Sequence, residues 1–528
     1  MHQTEMNRET MHKLTTKSFG HNVLKRKASF ICLSLLLSFA LTCTTSETIV
    51  NVKSVFELAA SDSLVQSPTQ VLWERTYGGK GDDRAYYAAP TNDGGFLIVG
   101  STTSVFEGRT VAWIIRIDSN GDMLWNKTFP EGTESDFRHV VKTDDGFVLI
   151  GNTFTSSGDP DGMIVRIDEE GNILWNITIG GPRVDSLLSG TQTLDGFVMV
   201  GLTFSYGSGG SEAWVVKTSF DGMVLWNRTY GQLGDNAARA IVPAENDSCV
   251  VAGYTNSTIG GEYEFWLFKI NKEDTLLWNR TYSSSESQKA LALTKTGDGY
   301  LIVGDTHLPA GAVNALMIKT DLDGNTVWQK TFGGNIFDSP SDVIRLSSGG
   351  YAITGFTFSW GKGQRDFWLF KIDDSGNVLW SCTQGRENYE EAYYVYEVAE
   401  SEFVLVGWTN SIGNGLYDVY AVKIKVEPQG NDFLSNDLPY ILASIVAIAV
   451  LSVGFLGLYF SKKRKVKTDS ENTQKGEGFV NLSVLRRFLE LFFLFQATLT
   501  EASAKSRRKL CNSSTERLFS ISSCRSPR

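Results

Sequence analysis

Histidine and cysteine, which often hold a catalytic metal or act as base and nucleophile, are scarce in this chain of 528 residues. Only His139 and His307 of the five histidines, and only Cys249 and Cys382 of the six cysteines, lie away from the two ends of the sequence. A catalytic zinc ion needs several protein ligands, and a hydrolytic site needs a nucleophile beside a base. The sequence therefore predicts no catalytic residues, no metal site and no disulfide framework, and we expect a protein that is not an enzyme.

Acidic residues recur at one position, ahead of the first strand of each repeat described below. Five of its seven residues are acidic, and the full set is Asp83, Ser135, Asp185, Asp235, Ser287, Asp338 and Glu390. These side chains could surround the mouth of a central channel and attract a cation or a basic partner. Alternatively, they cap backbone amides in Asx-type turns, which requires no ligand. The sequence leaves both interpretations open.

Three turns that join Asp to Gly are similar to calcium-binding loops. They begin at Asp118, Asp321 and Asp373, and a glycine follows three residues later in each. They lack the further acids and the distal Glu of a calcium loop. A tight hairpin turn, in which Asp caps the backbone and Gly takes a positive φ, accounts for all three. We therefore expect no bound calcium.

Two glycine-rich loops carry an aromatic side chain, Tyr206 in one and Trp360 in the other. Such a ring can stack on a sugar or pack on a partner protein. Both loops should open on the same face as the acidic position, so we treat the two rings as candidate ligand contacts. The alternative is that both fold back on the edge of a sheet.

All of these residues lie within one internal repeat. Tryptophan recurs at spacings of 50 to 52 residues, at Trp73, Trp125, Trp175, Trp226, Trp278, Trp328 and Trp380. Each period contains four strand-like runs separated by turn residues, as in Ala85–Ala89, Phe96–Gly100, Ala112–Ile117 and Met123–Trp125. Four antiparallel strands per repeat form the blade of a propeller. The sequence predicts an all-β, seven-bladed β-propeller over residues 71–426, with the repeat tryptophans packed blade against blade.

The ends of the repeat predict how the ring closes. The chain enters on a Trp-type strand, Val71–Tyr77, that has no earlier partner, and it leaves on a third-type strand without a Trp-type strand after it. The last blade is complete only if the two pair, which also removes an open sheet edge. We therefore expect Val71–Tyr77 to pair with Tyr420–Val426.

The segments outside the repeat predict export and a membrane anchor. Lys25–Lys27 precede an apolar run, Ala28–Leu41, as in a secretory signal. The uncharged run Leu438–Phe460 can span a bilayer as a helix, and the lysines and arginines after it place that end in the cytoplasm. The predicted organisation is a signal region at 1–46, a lead-in at 47–70, the propeller at 71–426, a stalk at 427–437, a transmembrane helix at 438–460, and a basic cytoplasmic tail at 461–528, amphipathic or disordered.

Charge and glycosylation motifs agree with this topology. The net charge is −10 although basic residues are concentrated at both ends, so the central part is strongly acidic. An acidic surface repels phosphate, so nucleic acid is not an expected partner. Six Asn-x-Ser/Thr motifs lie in the repeats, at Asn126, Asn176, Asn227, Asn246, Asn256 and Asn279. They are candidate N-glycosylation sites of an extracellular domain.

The repeat motifs resemble those of a known group of propellers. Thr-Tyr-Gly-Gly, Asp-Gly-Gly-Phe and Lys-Ile-Asp-x-x-Gly-Asn-x-x-Trp are similar to repeats in functionally uncharacterised surface propellers of archaea and bacteria, grouped with the PQQ-like (quinoprotein-like) propellers. The resemblance covers residues 71–426 and implies the fold. Quinoprotein dehydrogenases use an adjacent cysteine pair, calcium and a catalytic Asp, typically on eight blades. This chain has no adjacent cysteine pair and seven repeats, so we expect neither PQQ nor calcium as cofactor.

The turns are also similar to the Asp boxes of sialidases, but Gly121 lies four residues before Trp125, one more than that box allows. Together these observations predict a cell-surface binding or adhesion module that recognises a glycan, a protein or an envelope component. The alternative is a degenerate quinoprotein-like or hydrolytic enzyme.

Overall fold

The computed structural model of the protein describes residues 67–427, except 107, 130–133, 155–157, 208–209 and 258–260. These residues form 28 strands and one short 3-10 turn, Glu245–Asp247. The strands make seven four-stranded antiparallel sheets, which confirms the all-β, seven-bladed propeller. We number the sheets as blades 1 to 7 in chain order.

Within each blade the first strand is innermost and the fourth is outermost. The first strand of the chain, β1 (Thr69–Tyr77), belongs to blade 7. Blade 1 consists of β2 (Asp83–Pro90), β3 (Phe96–Thr102), β4 (Val111–Ile117) and β5 (Met123–Phe129). Blade 2 consists of β6 (Ser135–Thr143), β7 (Gly146–Phe154), β8 (Pro160–Asp168) and β9 (Ile173–Ile179), and blade 3 of β10 (Asp185–Thr193), β11 (Gly196–Thr203), β12 (Glu212–Thr218) and β13 (Val224–Tyr230).

Blade 4 consists of β14 (Asn236–Pro243), β15 (Cys249–Thr255), β16 (Glu264–Ile270) and β17 (Leu276–Tyr282), and blade 5 of β18 (Gln288–Lys295), β19 (Gly299–His307), β20 (Val313–Asp321) and β21 (Thr326–Phe332). Blade 6 consists of β22 (Asp338–Arg345), β23 (Tyr351–Thr357), β24 (Asp366–Ile372) and β25 (Val378–Gln384). Blade 7 consists of β26 (Glu390–Ala399), β27 (Glu402–Thr409), β28 (Asp418–Val426) and β1.

The hydrophobic core lies between the blades. The second and third strands of a blade are buried on both faces, so they consist of nearly continuous apolar residues, as in Phe96–Thr102 and Val111–Ile117. The outer strands alternate between exposed and half-buried residues because only one face is covered. Seven clusters of buried side chains result, one at each blade interface. Each blade therefore needs both neighbours to bury its faces.

The ring closes as the sequence predicts. Blade 7 has the strand order β1-β28-β27-β26, so the first strand of the chain completes the last blade. Tyr77 pairs with Val419, Thr76 with Tyr420 and Val71 with Ile424. The closure is reinforced by Glu74, whose carboxylate accepts hydrogen bonds from Tyr420 Oη at 2.9 Å and from Arg386 Nη2 at 2.6 Å.

The repeat tryptophans join neighbouring blades. Each lies on an outer strand, and all but the buried Trp380 are half-buried. The indole N–H of Trp328 donates to the carbonyl of Asp374 at 3.0 Å, in the hairpin turn of the next blade, and Trp73 and Trp175 make the equivalent bonds. Gly376 in that turn has φ +75, and a Cβ there would lie 2.8 Å from Trp328. This explains why the motif requires Gly and Trp together.

Charged residues at the same end of the strands form a second repeated contact. The cation near the end of the third strand pairs with an acid in the turn after the first strand, as in Arg116–Asp93 at 2.5 Å and Lys319–Asp298 at 3.0 Å. Hydrogen bonds from Thr91 and Arg116 lower the pKa of Asp93 to about 2. The Lys-Ile-Asp and Asp-Gly-Gly motifs are therefore structural partners.

Several predictions concern residues outside the described part of the chain. The signal region, most of the lead-in, nearly all of the stalk, the transmembrane helix at 438–460 and the tail are not among the described residues. Within residues 67–427, no helix reaches the length and apolar character needed to cross a bilayer. Cys249 and Cys382 are both buried and form no disulfide.

Candidate functional site

Every inner strand contains a β-bulge at the same position. In β2, Ala85 pairs with Gly100 and Tyr87 with Val99, so Tyr86 between them has no partner. The equivalent residues are Tyr86, Arg138, Leu188, Arg239, Leu291, Ser341 and Tyr393. A bulge turns its extra side chain away from the regular alternation. All seven residues are half-buried, as expected for side chains that line the central channel.

Side chains from distant blades meet in this channel. The rings of Tyr86 and Tyr393 are 5.5 Å apart in an edge-to-face arrangement, and Arg138 Cζ lies 4.2 Å from the centre of the Tyr86 ring. Arg239, from blade 4, interacts electrostatically with Arg138 of blade 2 and Tyr393 of blade 7. Because blade 4 is a neighbour of neither blade 2 nor blade 7, these electrostatic interactions run across the channel.

Arg239 is the cation without a direct partner in this group. Its Nε is buried and unpaired, and no ion pair involves it among the described residues. Burial lowers its pKa, although an arginine stays protonated at neutral pH. Arg138, by contrast, donates two hydrogen bonds to Asp136 at 2.6 and 3.1 Å. The channel therefore holds one compensated and one uncompensated guanidinium.

Asp305 is the acidic group that faces Arg239. It lies on the second strand of blade 5 and accepts a hydrogen bond from Ser339 Oγ at 2.5 Å. Burial raises the pKa of its carboxyl to about 6, although Ser339, His307, Arg239 and Lys289 all act in the opposite direction. The carboxylate is not in ion-pair contact with Arg239, so it moderates the positive potential without neutralising it.

Cations packed on aromatic rings surround the channel mouth. We call the upper face of the propeller the one where the inner strands begin. There Arg84 Cζ lies 4.4 Å from the ring centre of Tyr417 and 5.2 Å from that of Trp408, both in the preceding blade. Lys289 Nζ lies 4.1 Å from the Tyr263 ring. We call these residues, together with Arg365 and its rings Phe356, Phe358 and Tyr389, the aromatic mouth.

Four of the five acidic residues singled out in the sequence are buried behind this mouth. Asp83, Asp185 and Asp338 have no exposed surface, and Glu390 is 1% exposed. Asp338 accepts hydrogen bonds from Thr357, from Ser359 Oγ at 2.6 Å and from the Gly334 amide at 2.6 Å. Asp83 and Asp185 make the same three contacts. These contacts are those of the capping interpretation, and they hold the loop that leads into each blade.

The alignment of this position was wrong in two blades. In blades 4 and 5 the buried residue is Asn236 or Gln288, one place after Asp235 or Ser287. Asn236 Oδ1 accepts hydrogen bonds from Thr255 at 2.6 Å and Ser257 at 2.9 Å, so it replaces the carboxylate in the same pocket. Asp235 itself is half-buried on the upper face, where its carboxylate accepts from Tyr263 Oη at 3.1 Å. Four of the seven positions are therefore acidic.

Tyr206 and Trp360 both pack against the blade that precedes their own. Tyr206 Oη donates to the carbonyl of Gly180 at 2.6 Å, while 39% of the residue remains exposed. Trp360 lies 5.7 Å from both Phe332 and Trp368, ring centre to ring centre. Trp360 is thus part of the interface between blades 5 and 6, and Tyr206 retains a partly exposed ring.

The candidate glycosylation sites differ in exposure. Asn126, Asn176, Asn246 and Asn279 are exposed, whereas Asn227 and Asn256 are half-buried. The Asn256 side chain already accepts a hydrogen bond from the Asp235 amide at 2.5 Å. Glycosylation stays a prediction, and the exposed sites are the ones whose amides a glycan could reach.

The channel residues were missed by the sequence analysis. A signal for them exists: Arg239 is a lone charge within the otherwise apolar run Ala237–Val242, and Arg138 and Tyr86 stand at the same place in their repeats. The alternation of a half-buried strand does not reveal a bulge, so this position was not singled out. Among residues 67–427, apart from the gaps already given, no three His, Cys, Asp or Glu side chains converge as metal ligands.

Comparisons with known proteins return only distant structural likenesses. No family model matches the chain, and no curated protein matches it. A protein of unknown function from Dyadobacter fermentans is 9% identical, with a TM-score of 0.38 over 68% of this chain and 99% of that one. The parainfluenza virus 5 hemagglutinin-neuraminidase ectodomain is 10% identical, with a TM-score of 0.38 over 78% and 100%. PQQ-bound aldose sugar dehydrogenase from Streptomyces coelicolor is 13% identical, with a TM-score of 0.34 over 69% and 100%.

These likenesses correct one prediction. The chain was expected not to be an enzyme, and that expectation is wrong as stated. The similar solved structures are mostly named as enzymes or their relatives, including sialidases, a gluconolactonase and a sugar dehydrogenase. At this similarity the likenesses concern fold alone, and membership of the PQQ-like repeat family is not established.

Proposed function

We propose that the protein is a cell-surface, membrane-anchored β-propeller that recognises a carbohydrate through the aromatic mouth of its channel. The observation that carries this proposal is the packing of three cations on aromatic rings of an adjacent blade at the upper face. Sugars have apolar C–H faces and a rim of hydroxyl groups. Half-buried rings such as Tyr417 and Tyr389 can cover the faces, and the adjoining Arg84 and Arg365 can bind the hydroxyls.

Rigidity of the mouth supports the proposal. Arg84 is held between two rings of blade 7 and also contacts Asp82 at 3.3 Å, and Arg365 forms an ion pair with Glu391. Side chains that are already ordered lose little conformational entropy when a ligand binds. The mouth is therefore suited to a ligand with little apolar surface, such as a sugar. Such a ligand gains little binding energy, and ordering a flexible site would consume too much of it.

A glycan array probed with the full-length protein in detergent tests this function. We expect binding to a restricted set of saccharides, and we expect Tyr417→Ala and Arg84→Ala to weaken it at least about ten-fold, as for central contacts of an interface. Phe220→Ala is the matched control, since Phe220 is partly exposed on the opposite face. Thermal unfolding of each variant verifies folding. Binding that survives both mouth substitutions would contradict the proposed site.

The location at the cell surface is tested separately. It rests on the signal region, the transmembrane helix at 438–460 and the exposed Asn126, Asn176 and Asn279. Biotinylation of intact cells with an impermeant reagent should label lysines of the propeller, such as the exposed Lys80 or Lys362, and leave the tail unlabelled. Labelling that requires cell lysis would contradict this location.

A further inference from the structure

Arg239 differs from every other cation of the channel and its mouth in having no compensating contact. Arg138 is paired with Asp136, Arg365 with Glu391, and Arg84 contacts Asp82. Lys289 lies over the rings of Tyr263 and Tyr254, at 4.1 and 5.0 Å. Arg239 forms none of these contacts within the described residues. Its Nε is buried without a partner, as is that of Arg84 and of Arg365, but in the described part of the chain only Arg239 has no ion pair or ring contact elsewhere on its guanidinium.

An uncompensated guanidinium in a confined channel is energetically unfavourable in the free protein. A buried charge is normally paired, because its lost hydration must be replaced. Arginine cannot escape the cost by losing its proton. The strands around Arg239 could accommodate an apolar residue, since Leu188 and Leu291 occupy the same bulge in blades 3 and 5. The charge at this position is therefore more readily explained by a ligand than by folding.

The surroundings of Arg239 match an oxyanion. Arg138 adds a second positive charge from across the channel, and Tyr86 and Tyr393 stand beside Arg138. A planar guanidinium fork binds a carboxylate through two parallel hydrogen bonds. Asp305 is the opposing group: it carries negative charge near Arg239, and its carboxylate accepts a hydrogen bond from Ser339 Oγ. The central part of the chain is acidic overall, so the positive potential is confined to the neighbourhood of these two arginines.

We infer that Arg239 is an anion-binding residue of the channel, and that it holds the carboxylate of an acidic saccharide whose remaining sugar rings occupy the aromatic mouth. This inference rests on the proposed carbohydrate-binding function and specifies its substrate class. It predicts discrimination between acidic and neutral saccharides of the same length, which the aromatic mouth alone would not provide.

Calorimetric titration of the full-length protein tests the inference with oligogalacturonate, with a neutral oligosaccharide of equal length, and with inorganic sulfate. We expect oligogalacturonate to bind at least ten-fold more tightly than the neutral sugar. Arg239→Met should abolish that preference, and Arg239→Lys should retain part of it. Arg183→Met is the matched control, because Arg183 is exposed on the rim of the upper face and its side chain contacts Phe204, away from the channel residues.

The melting temperature of the unliganded protein distinguishes an arginine that binds a ligand from an arginine that stabilises the fold. Removing an unpaired, half-buried charge should leave the Arg239→Met protein at least as stable as the wild type, whereas loss of a structural arginine would destabilise it. A marked fall in melting temperature together with unchanged sugar binding would overturn the inference.

The three probes, tested on the wild type and on Arg239→Met, distinguish failure of the inference from failure of the proposed function. Equal affinity for acidic and neutral sugars, unaffected by Arg239→Met, would overturn the inference and leave carbohydrate binding intact. Binding of sulfate through Arg239 without binding of any sugar would support the anion site and contradict the proposed function. No binding of any of the three probes would overturn both.

Discussion

At the scale of single residues, burial decides the charge of His139. Its ring lies 4.0 Å from that of Tyr87, centre to centre, and its Nδ1 is buried without a hydrogen-bond partner. Burial lowers its pKa to about 3. In the unfolded chain a histidine titrates near pH 6.5. Between these two values only the unfolded chain binds the proton, so His139 makes the folded protein less stable as the pH falls.

Replacing His139 with Phe should remove this acid sensitivity. Between pH 7.5 and pH 5, the free energy of unfolding of the wild type should fall by about 1 to 2 kcal/mol more than that of the variant. Denaturant unfolding at both pH values measures this difference. Asp305 and Asp342, whose pKa burial raises to about 6, act in the opposite sense and remain in both proteins. His307→Phe, at an exposed position, is the control. Equal differences for wild type and variant would contradict a neutral His139.

At the scale of strands and turns, the sequence predicts the residues that recur in every repeat, but it does not predict which residues the β-bulge turns into the channel. Trp and Gly recur because the hairpin turn of one blade packs on the tryptophan of its neighbour, and the Asp that begins many of these turns accepts hydrogen bonds from backbone amides of its own turn. The polar position in blades 4 and 5 was misplaced by one residue, because Asp235 matches the acids of other blades in type. The partners decide the register: Thr255 and Ser257 reach Asn236. The Thr-x-Ser sequence could have given this alignment, whereas nothing in the alternation predicts the bulge.

The contact between turn and tryptophan can be tested with a pair of glycines. Gly376→Ala places a Cβ 2.8 Å from Trp328 at φ +75, whereas Gly349→Ala has φ +86 and no atom within 4 Å of the new Cβ. Both substitutions carry the cost of a left-handed backbone, about 1 to 2 kcal/mol. Only Gly376→Ala should also lose about 1 to 3 kcal/mol through overpacking. Equal losses in urea unfolding would show that Trp328 does not join the blades.

At the scale of the whole molecule, one strand decides whether the ring is closed. Every other outer strand follows its partner through a short hairpin, but β1 pairs with β28 at the far end of the domain. The entropy of closing so long a loop is recovered only through the β1–β28 contacts. Losing them would also expose β28 as an open edge, which favours association between molecules. Stability of the propeller should therefore depend on β1 more than on any equivalent strand.

A matched pair of proline substitutions tests this dependence. Thr76 in β1 pairs with Tyr420, and Thr128 in β5 pairs with Trp113 at the corresponding place in blade 1. Proline at either place disturbs one strand by about the same local amount. Thr128→Pro leaves β5 tethered to β4, whereas Thr76→Pro frees the segment that closes the ring. We expect a clearly larger fall in melting temperature for Thr76→Pro, with association detected by light scattering. Equal falls would mean that blade-to-blade packing holds the ring without its closing strand.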